Sequence, residues 1–362
     1  MLHFKKVVVT GGYGFIGSAL IRKLLKNTNV EIFNIDKMSP VSNSQSIDNL
    51  LSLNPSYKKR YYFFKTNIEN YEEINKVFTN ISPDIVFHLA AESHVDRSIT
   101  DPRIFLQSNT IGTFNLLEAS RNYWNQLPLN KKNLFKFIHV STDEVFGSLE
   151  NEGRFSENSQ YQPSSPYSAS KAASDHFVMS WFKTYKFPSI ISNCSNNYGP
   201  RQFPEKFIPL IIQKIINNSK IPIYGNGNNI RDWLFVKDHV NALLKIANDG
   251  ENGARYCIGG GQEIQNIELV KLICEKMDKK LQRNQKSLRL ITHVPDRPGH
   301  DYRYSLDSSA LKNDLGWVPK YNFKVGIKKT VLWYLNNLDW INNIETKTGY
   351  KMERLELKNN NY

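Results

Sequence analysis

Short β-branched runs and longer amphipathic stretches alternate through the first half of the chain. The continuous apolar run Lys6–Thr10 predicts a buried strand, and the spacing of Leu20 and Leu24 predicts a helix over Ile16–Lys26. Further strands are predicted at Val30–Ile35, Tyr61–Thr66, Ile85–Leu89 and Phe137–Val140. Further helices are predicted at Tyr71–Phe78, Asn109–Tyr123 and Ala169–Tyr185. Strands alternating with helices predict an α/β fold with a doubly wound parallel sheet of the Rossmann type.

The second half of the chain has a different character. From about Asn196 it is rich in Pro, Gly and Asn, with aromatic residues between short helices such as Phe207–Ile216 and Ile267–Met277. A loop-rich lobe of this kind suits substrate binding. We therefore predict a Rossmann domain over residues 1–195, to which 230–260 return, a smaller C-terminal substrate-binding lobe over 196–229 and 261–340, and a polar tail over 345–362.

Composition narrows the class of protein. The 362 residues are 40% hydrophobic and 22% charged, and no apolar run approaches the roughly 18–20 residues that a membrane helix needs. The three cysteines form no CxxC, and the apolar start is too short for a signal peptide, so a reducing cytoplasm is expected. The net charge of +13 is spread along the chain without a long basic block. We therefore expect a solvated basic surface, and neither a nucleic acid nor a membrane as partner.

A glycine-rich segment lies between the first strand and the first helix. Gly12, Gly14 and Gly17 satisfy GxGxxG, and Gly11 begins a second frame, GxxGxxG. Such glycines let a pyrophosphate approach the backbone at a helix N-terminus. Asp36 ends the next strand, about 20 residues on, where a carboxylate accepts hydrogen bonds from a ribose 2′-hydroxyl and disfavours a 2′-phosphate. The segment predicts NAD as cofactor, although a lysine follows the aspartate. The alternative is a glycine-rich turn with an incidental aspartate.

Two further groups of residues carry candidate chemistry. Tyr167 and Lys171 are four residues apart, so a helix places them on one face, where an ammonium would lower the phenol's pKa and make it a base. Thr142, Asp143 and Glu144 follow a predicted strand, at the edge where parallel sheets place their chemistry. Two adjacent carboxyls can divide acid and base work on one substrate. The alternatives are a surface helix pair and an acidic cluster at a helix N-terminus.

Together these motifs resemble the extended short-chain dehydrogenase/reductases, and among them the nucleotide-sugar 4,6-dehydratases. The resemblance spans about Lys6 to Leu338, and the Thr-Asp-Glu triplet separates it from the sugar epimerases of the same superfamily. It also includes His88–Ser98, Ser195–Pro209, Asn229–Leu234 and Pro295–His300.

The resemblance implies a reaction in which NAD takes a hydride from C4 of a sugar and returns it to C6. Tyr167 would deprotonate the 4-hydroxyl beside Thr142, and Lys171 would hold the nicotinamide ribose. Glu144 would remove the C5 proton and Asp143 would protonate the leaving C6 hydroxyl. The implied substrate is dTDP-glucose or UDP-glucose, in deoxysugar biosynthesis such as that of rhamnose, and the implied assembly is a homodimer. No metal is expected.

The resemblance also assigns binding residues. Those for NAD are Gly11, Gly14, Phe15, Ile16, Gly17, Asp36, Lys37, Met38, Ser39, Asn67, Ile68, Leu89, Ala90, Ala91, Ser93, Ser108, Tyr167, Lys171 and Asn197. Those for the nucleotide sugar are Ser93, Thr142, Asn196, Lys206, Phe207, Pro222, Ile223, Tyr224, Arg231, Asn266, Asp296, Arg297 and His300. The chain departs from the family pattern at Asn67, usually Asp, and at Ser108, often Thr. For the dimer, helices like Asn109–Tyr123 and Ala169–Tyr185 would pack together, with Val178, Trp181 and Phe182 in contact or else buried within one chain.

Two other functions remain open at this point. One is a different nucleotide-sugar enzyme, an epimerase or decarboxylase. The other is a non-catalytic protein that senses NAD on a dehydrogenase fold, which the presence of Tyr167, Lys171 and the acidic pair disfavours.

Overall fold

A computed structural model describes residues 3–348 of the chain. Its strands are β1 (Lys6–Thr10), β2 (Glu31–Asp36), β3 (Tyr61–Lys65), β4 (Ile85–His88), β5 (Lys136–Thr142), β6 (Ser189–Cys194), β7 (Asn196–Tyr198), β8 (Ile221–Tyr224), β9 (Ile230–Phe235), β10 (Arg255–Ile258), β11 (Glu263–Gln265) and β12 (Ile291–Val294). The α-helices are α1 (Phe15–Asn27), α2 (Gln45–Leu53), α3 (Pro55–Lys58), α4 (Tyr71–Ile81), α5 (Val95–Thr100), α6 (Pro102–Phe105), α7 (Gly112–Asn125), α8 (Leu129–Lys132), α9 (Pro166–Tyr185), α10 (Phe207–Ile216), α11 (Val236–Asp249), α12 (Asn266–Leu281), α13 (Ser309–Leu315), α14 (Phe323–Leu335) and α15 (Leu338–Thr348).

The main sheet has seven strands in the order β10-β6-β5-β4-β1-β2-β3, and each neighbouring pair is parallel. The strand order reverses between β1 and β4, and the crevice beyond the carboxyl ends at such a point is where α/β sheets bind ligands. The predicted fold class is therefore confirmed. Val7, Val8 and Val9 in β1 are fully buried, because helices cover both faces of the sheet.

Helices on the two faces of this sheet form two separate cores. One joins the sheet to α1 and α11 through residues such as Leu20 and Leu243. The other joins it to α4, α7 and α9 through residues such as Phe78 and Leu116. In α1 the inward positions Leu20 and Leu24 recur at the predicted spacing and are fully buried.

The C-terminal half adds a third core and two small sheets. One sheet has the order β11-β9-β7 and the other pairs β12 with β8. Their core contains residues from α10, α12, α14 and α15. The predicted domain boundaries remain a prediction. Within the predicted tail, residues 345–348 belong to α15, and the rest lies outside the described residues.

Two irregular turns contain residues of the candidate sites. Asp143–Phe146 forms a four-residue 3₁₀ turn immediately after β5. Leu106–Ile111 forms a π-helical turn that leads into α7. Helix α9 begins earlier than predicted, at Pro166, because Ser165 and Ser168 form a capping box and proline is favoured at the first helical position. No helix in the described part of the chain is long and apolar enough to cross a membrane.

Candidate active site

A cavity of about 550 Å³ lies at the carboxyl ends of β1, β2, β3 and β4. Residues that line it as predicted are Gly11, Gly14, Asp36, Lys37, Ser39, Asn67, Ile68, Leu89, Ala90, Ala91 and Ser108. Glu92, which lies within the predicted stretch Leu89–Ser93, also lines the cavity, and lining residues that the sequence did not single out are Ile35, Val41, Ser42 and Thr66. Predicted residues outside its wall are Phe15, Ile16, Gly17, Met38, Ser93, Tyr167, Lys171 and Asn197.

The glycine-rich turn packs closely against the residues that follow β4. Gly11 has a φ of +68°, and a Cβ there would lie 2.8 Å from the backbone of Ala90. A Cβ on Gly17 would lie 2.3 Å from the Gly11 carbonyl oxygen. The helix N-cap, Gly14, brings no side chain to cap the first N–H groups of α1. This backbone cradle beside a helix N-terminus fits a pyrophosphate.

Asp36 is held as a carboxylate acceptor at the edge of this cavity. Its Oδ2 accepts a hydrogen bond from the Tyr13 N–H at 3.0 Å, and its Oδ1 accepts from the Met38 N–H at 2.8 Å and the Ser42 hydroxyl at 2.9 Å. Three protein groups thus fix the orientation of the side chain, which suits a ribose diol. These residues therefore fit the NAD that the sequence predicts.

Lys37 does not offer a free charge to this cavity. Its Nζ lies 3.0 Å from Glu92 Oε1 and 3.5 Å from Glu69 Oε1, and it donates to Ser108 Oγ at 2.9 Å. Ser108 in turn donates to Glu69 Oε1 at 2.6 Å. Two carboxylates thus offset the one ammonium, which removes the doubt that this lysine raised about NAD. We call Lys37, Glu69, Glu92 and Ser108 the Lys37 cluster.

A second cavity, of about 980 Å³ and open to solvent, lies between the main sheet and the C-terminal lobe. Predicted substrate residues on its wall are Ser93, Asn196, Lys206, Phe207, Ile223, Tyr224, Arg231, Asn266, Arg297 and His300. Predicted residues outside the wall are Thr142, Pro222 and Asp296. The wall also includes Glu144, predicted as a catalytic residue, and Asn197, predicted to bind NAD. Lining residues that were not predicted are His94, Val95, Asp96, Gln202, Glu205, Ile208, Leu210, Trp233 and Tyr304.

The cations of this cavity are held in place by named partners. Arg297 Nη1 lies 3.1 Å from Asp96 Oδ1, and among the described residues its Nε has no hydrogen-bond partner. Arg231 donates to backbone carbonyls, including Asp301 at 2.9 Å, and its guanidinium lies 4.3 Å from the Tyr304 ring centroid. Neither arginine is a surface charge, since both side chains are largely buried. Fixed guanidinium groups in a cavity suit a diphosphate.

Lys206 and His300 complete the polar wall. Lys206 Nζ donates to the Ser93 carbonyl at 2.6 Å, and burial lowers its pKa against the opposing charge of Glu205. His300 Nδ1 lies 2.6 Å from Asp296 Oδ1, and burial together with Arg297 lowers the pKa of His300 to about 4. Asp296 therefore contacts the site through His300 rather than through the cavity wall.

The acidic pair after β5 occupies two different environments. Asp143 is 1% exposed, and burial, with the neighbouring Glu144 charge, raises the pKa of Asp143 well above its ordinary value. Burial also raises the pKa of Glu144, but Arg297 and Arg231 oppose that effect. Thr142 accepts from the Glu144 N–H at 3.3 Å. A single 3₁₀ turn has little dipole, so the helix-terminus explanation of this acidic pair is not supported.

Tyr167 and Lys171 lie on the inner face of α9, and both are buried. The predicted effect of the lysine on the tyrosine is wrong for this arrangement. Burial and the Glu144 charge raise the pKa of the Tyr167 phenol, whereas its hydrogen bond with Thr142 acts in the opposite direction. The Lys171 ammonium instead donates to the Val140 carbonyl at 3.0 Å. The lysine is therefore held by the sheet and not by the phenol.

The strand order, the glycine cradle and the adjoining polar cavity define a dinucleotide-binding protein of the extended dehydrogenase/reductase class. Residues 8–330 match the family of GDP-mannose 4,6 dehydratase. The chain belongs to this family, as the sequence resemblance predicted.

Curated relatives cover nearly the whole chain. A dTDP-glucose 4,6-dehydratase of Neisseria meningitidis serogroup B is 48% identical over 97% of this chain and 99% of its own. The dTDP-glucose 4,6-dehydratase 1 of Escherichia coli K12 is 46% identical over 94% of this chain and 96% of its own.

Solved structures of dTDP-glucose 4,6-dehydratases have a fold similar to that of this chain. The dTDP-glucose 4,6-dehydratase of Bacillus anthracis, in complex with NAD, is 37% identical with a TM-score of 0.81, covering 94% of this chain and 99% of its own. The dTDP-glucose 4,6-dehydratase of Streptomyces venezuelae, also with NAD bound, is 34% identical with a TM-score of 0.84 over the same shares. NAD is thus bound by two similar enzymes, in agreement with the predicted cofactor.

Proposed function

We propose that the chain is a dTDP-glucose 4,6-dehydratase that converts dTDP-glucose to dTDP-4-dehydro-6-deoxy-glucose and water in deoxysugar biosynthesis. The observation that carries this proposal is the Asp143 and Glu144 pair, at the end of β5 beside a cavity lined by cations and next to a dinucleotide cradle. Three free, buried cysteines agree with work in a reducing cytoplasm.

The first step oxidises C4, which requires the loss of a proton from the 4-hydroxyl and of a hydride from C4. Tyr167 takes the proton of the 4-hydroxyl, while Thr142, which hydrogen-bonds the phenol, orients that hydroxyl. When bound, NAD supplies the hydride acceptor for C4, the hydride donor for C6 and a positive ring charge that favours the Tyr167 phenolate. Lys171 would hold the nicotinamide ribose.

The second step eliminates water across C5 and C6. The new C4 ketone acidifies the C5 proton, which Glu144 takes, and Asp143 gives its proton to the departing C6 hydroxyl. The two environments suit these roles, because the more deeply buried Asp143 retains a proton while Arg297 and Arg231 favour the ionised form of Glu144. Glu144 then returns the proton to C5, and Asp143 regains a proton while Tyr167 releases the one that it took from the 4-hydroxyl, by exchange with solvent.

The rest of the second cavity binds the nucleotide diphosphate. Among the residues that the structure describes, the buried Nε of Arg297 has no hydrogen-bond partner, and Arg231 and Lys206 lie on the same wall. Glu205 lies beside them and pairs with Arg97 at 2.6 Å. We assign Arg297, Arg231 and Lys206 to the diphosphate, because their charges converge where two phosphates need neutralisation.

The decisive experiment offers purified enzyme dTDP-glucose or UDP-glucose without added NAD, after the bound cofactor has been quantified. We expect the 4-keto-6-deoxy sugar as product, and a higher kcat/KM for dTDP-glucose. No product from either sugar, with NAD present, would refute the dehydratase. A higher kcat/KM for UDP-glucose would revise the nucleotide, and inversion at C4 without loss of water would favour an epimerase.

We also propose a homodimer formed by α7 and α9. Ile111, which precedes α7, and Phe114, in the first turn of α7, are exposed apolar residues. The Phe114 ring contacts the Trp181 ring of α9 at a centroid distance of 5.6 Å. Val178 and Trp181 are buried within one chain, which favours for these two residues the alternative of burial against the sheet. Phe114→Asp should be a monomer in sedimentation velocity. Leu129→Asp, at an exposed leucine on α8, is the control and should remain a dimer. A wild-type monomer at micromolar concentration would refute the dimer.

A further inference from the structure

A third ionisable residue extends the Tyr167 and Lys171 pattern along α9. Asp175 follows Lys171 by four residues, so the three lie along one face of the helix. Asp175 is fully buried and has no part in the reaction steps above. A buried carboxylate needs partners, because an unpaired charge in a protein interior is costly.

Asp175 is held as an anion by groups from several elements. Its Oδ2 accepts from Tyr161 at 2.7 Å, from Ser141 at 2.8 Å and from Asn193 at 3.2 Å, while its Oδ1 lies 3.1 Å from His139 Nε2. Burial alone would raise the pKa of Asp175, but its interactions with His139, the Lys171 charge and the Tyr161 hydrogen bond together outweigh burial and lower it. Asp175 is therefore ionised at neutral pH.

His139 lies between this carboxylate and the catalytic lysine. Its Nε2 is 3.1 Å from Asp175 Oδ1 and 3.4 Å from Lys171 Nζ. Burial and the Lys171 charge lower the pKa of His139 to about 4, so the ring is neutral and carries one proton. Nε2 thus faces both the carboxylate and the ammonium, and Lys171 Nζ can donate to it only when the ring proton is on Nδ1. Within residues 3–348, neither His139 Nδ1 nor Asp175 Oδ1 has a hydrogen-bond partner.

We propose that Asp175, acting through the neutral His139 ring, is a positioning residue that keeps Lys171 charged and fixed on the Val140 carbonyl, ready for the cofactor ribose. The inference rests on the proposed function, which gives Lys171 its task. The negative charge stabilises the ammonium, and the His139 ring, which lies between the two groups, keeps them in place.

The other titratable groups around Lys171 are neutral. His139 lies on β5 and His88 behind it on β4, with ring centroids 5.1 Å apart, and burial lowers the pKa of both. On β6, burial raises the pKa of the Cys194 thiol. Burial lowers the pKa of Lys171 itself, and Asp175 is the largest influence in the opposite direction. Of these groups, Asp175 alone supplies a fixed negative charge.

The test is Asp175→Asn in the holoenzyme, with kcat and KM measured across pH 6–10. We expect kcat to fall roughly 10- to 100-fold and KM to change by less than about 3-fold, since Asp175 does not line the substrate cavity. The alkaline limb of kcat should move to lower pH, because Lys171 loses its proton more readily without the carboxylate. An equal loss of kcat at every pH, with unmoved limbs, would mean that Asp175 is only structural and would overturn the proposal.

Two controls separate charge from packing. Asp175→Glu retains the charge, so its alkaline limb should stay near the wild-type position whatever its stability. Asp278→Asn removes a buried carboxylate on α12 that accepts from the Ser287 N–H at 2.9 Å. It should lower the melting temperature without moving either limb. A limb shift in Asp278→Asn would show that lost stability alone produces the effect.

A second measurement does not depend on catalysis. In wild-type protein labelled with ¹⁵N at lysine Nζ, the Lys171 signal, assigned with Lys171→Arg, should titrate above pH 8 and should titrate at lower pH in Asp175→Asn. A Lys171 signal already neutral at pH 7 in the wild type would overturn the proposal even if the variant does not fold. Failure of the wild type to dehydrate dTDP-glucose would refute the proposed function while leaving this titration interpretable.

Discussion

The Thr142 hydroxyl donates to Asp143 Oδ1 at 3.2 Å, and within the described residues the buried Oδ2 of Asp143 has no hydrogen-bond partner. A carboxylate with one unsatisfied oxygen in the interior is disfavoured relative to the neutral acid. This pair therefore stores a proton beside the substrate cavity, at a cost to stability when the proton is lost.

Asp143→Asn should stabilise the protein while it impairs water elimination. The pKa of Asp143 is raised in the folded state, so the folded protein binds more protons and wild-type stability falls as pH rises above about 4. The asparagine has no proton to lose. We expect roughly 1–2 kcal/mol higher free energy of unfolding at pH 8 and no gain at pH 4, measured by urea unfolding. A gain that is equal at both pH values would contradict the assigned cause.

Glu144→Gln should separate oxidation from elimination. The amide cannot remove the C5 proton, so deuterium uptake at C5 in D₂O should fall at least about 100-fold, while a single turnover still reduces the bound cofactor, seen at about 340 nm. Asp143→Asn is the matched comparison, because its C5 exchange should persist. Normal dehydration by Glu144→Gln would show that another group is the base.

Gly11→Ala should weaken cofactor retention. The added Cβ would lie 2.8 Å from the Ala90 backbone, at the turn that cradles the pyrophosphate. Gly153→Ala is the matched control, because Gly153 also has a positive φ, of +84°, but no heavy atom lies within 4 Å of its Cβ position. Both variants should lose stability from backbone strain, of the order of 1 kcal/mol. We expect only Gly11→Ala to lose NAD on gel filtration, and equal retention by both would contradict the cradle.

The Lys37 cluster should set part of the preference for NAD. Glu69→Gln with Glu92→Gln frees the Lys37 ammonium and removes two negative charges near the ribose site. Apoenzyme reconstituted with either cofactor should show a roughly 3- to 10-fold higher NADP-to-NAD affinity ratio, measured by fluorescence titration. Glu268→Gln, which breaks an exposed pair with Lys271, should leave the ratio unchanged. An unchanged ratio in the double variant would leave Asp36 as the sole determinant.

Local patterns in the sequence were enough for the scaffold. Lys6–Thr10 and Phe207–Ile216 have the predicted bounds, since a continuous apolar run and a strong apolar stripe need no distant partner to be recognised. β5 runs past its prediction to Thr142, because its last residues are polar side chains buried by tertiary packing. The predicted acidic pair, tyrosine and lysine do come together at the carboxyl ends of the strands.

Long-range pairs were beyond prediction. Asp96 and Arg297 are 201 residues apart, and Arg97 and Glu205 are 108 apart, so no local spacing marks them as partners. Asp175 is different, because its four-residue interval from Lys171 was visible in the sequence. The direction of the Tyr167 pKa shift could not be predicted either, since it depends on burial and on Glu144 rather than on spacing alone.

The π-helical turn Leu106–Ile111 contributes residues both to the cofactor cavity and to the surface proposed for the dimer. Its wider turn buries three consecutive residues, Ser108, Asn109 and Thr110, and leaves Ile111 exposed. Ser108 lines the cofactor cavity, while Ile111 lies on the surface proposed for the partner subunit. Cofactor binding and subunit assembly therefore both act on this one turn, and by reciprocity any effect of assembly on cofactor affinity must equal the effect of the cofactor on assembly.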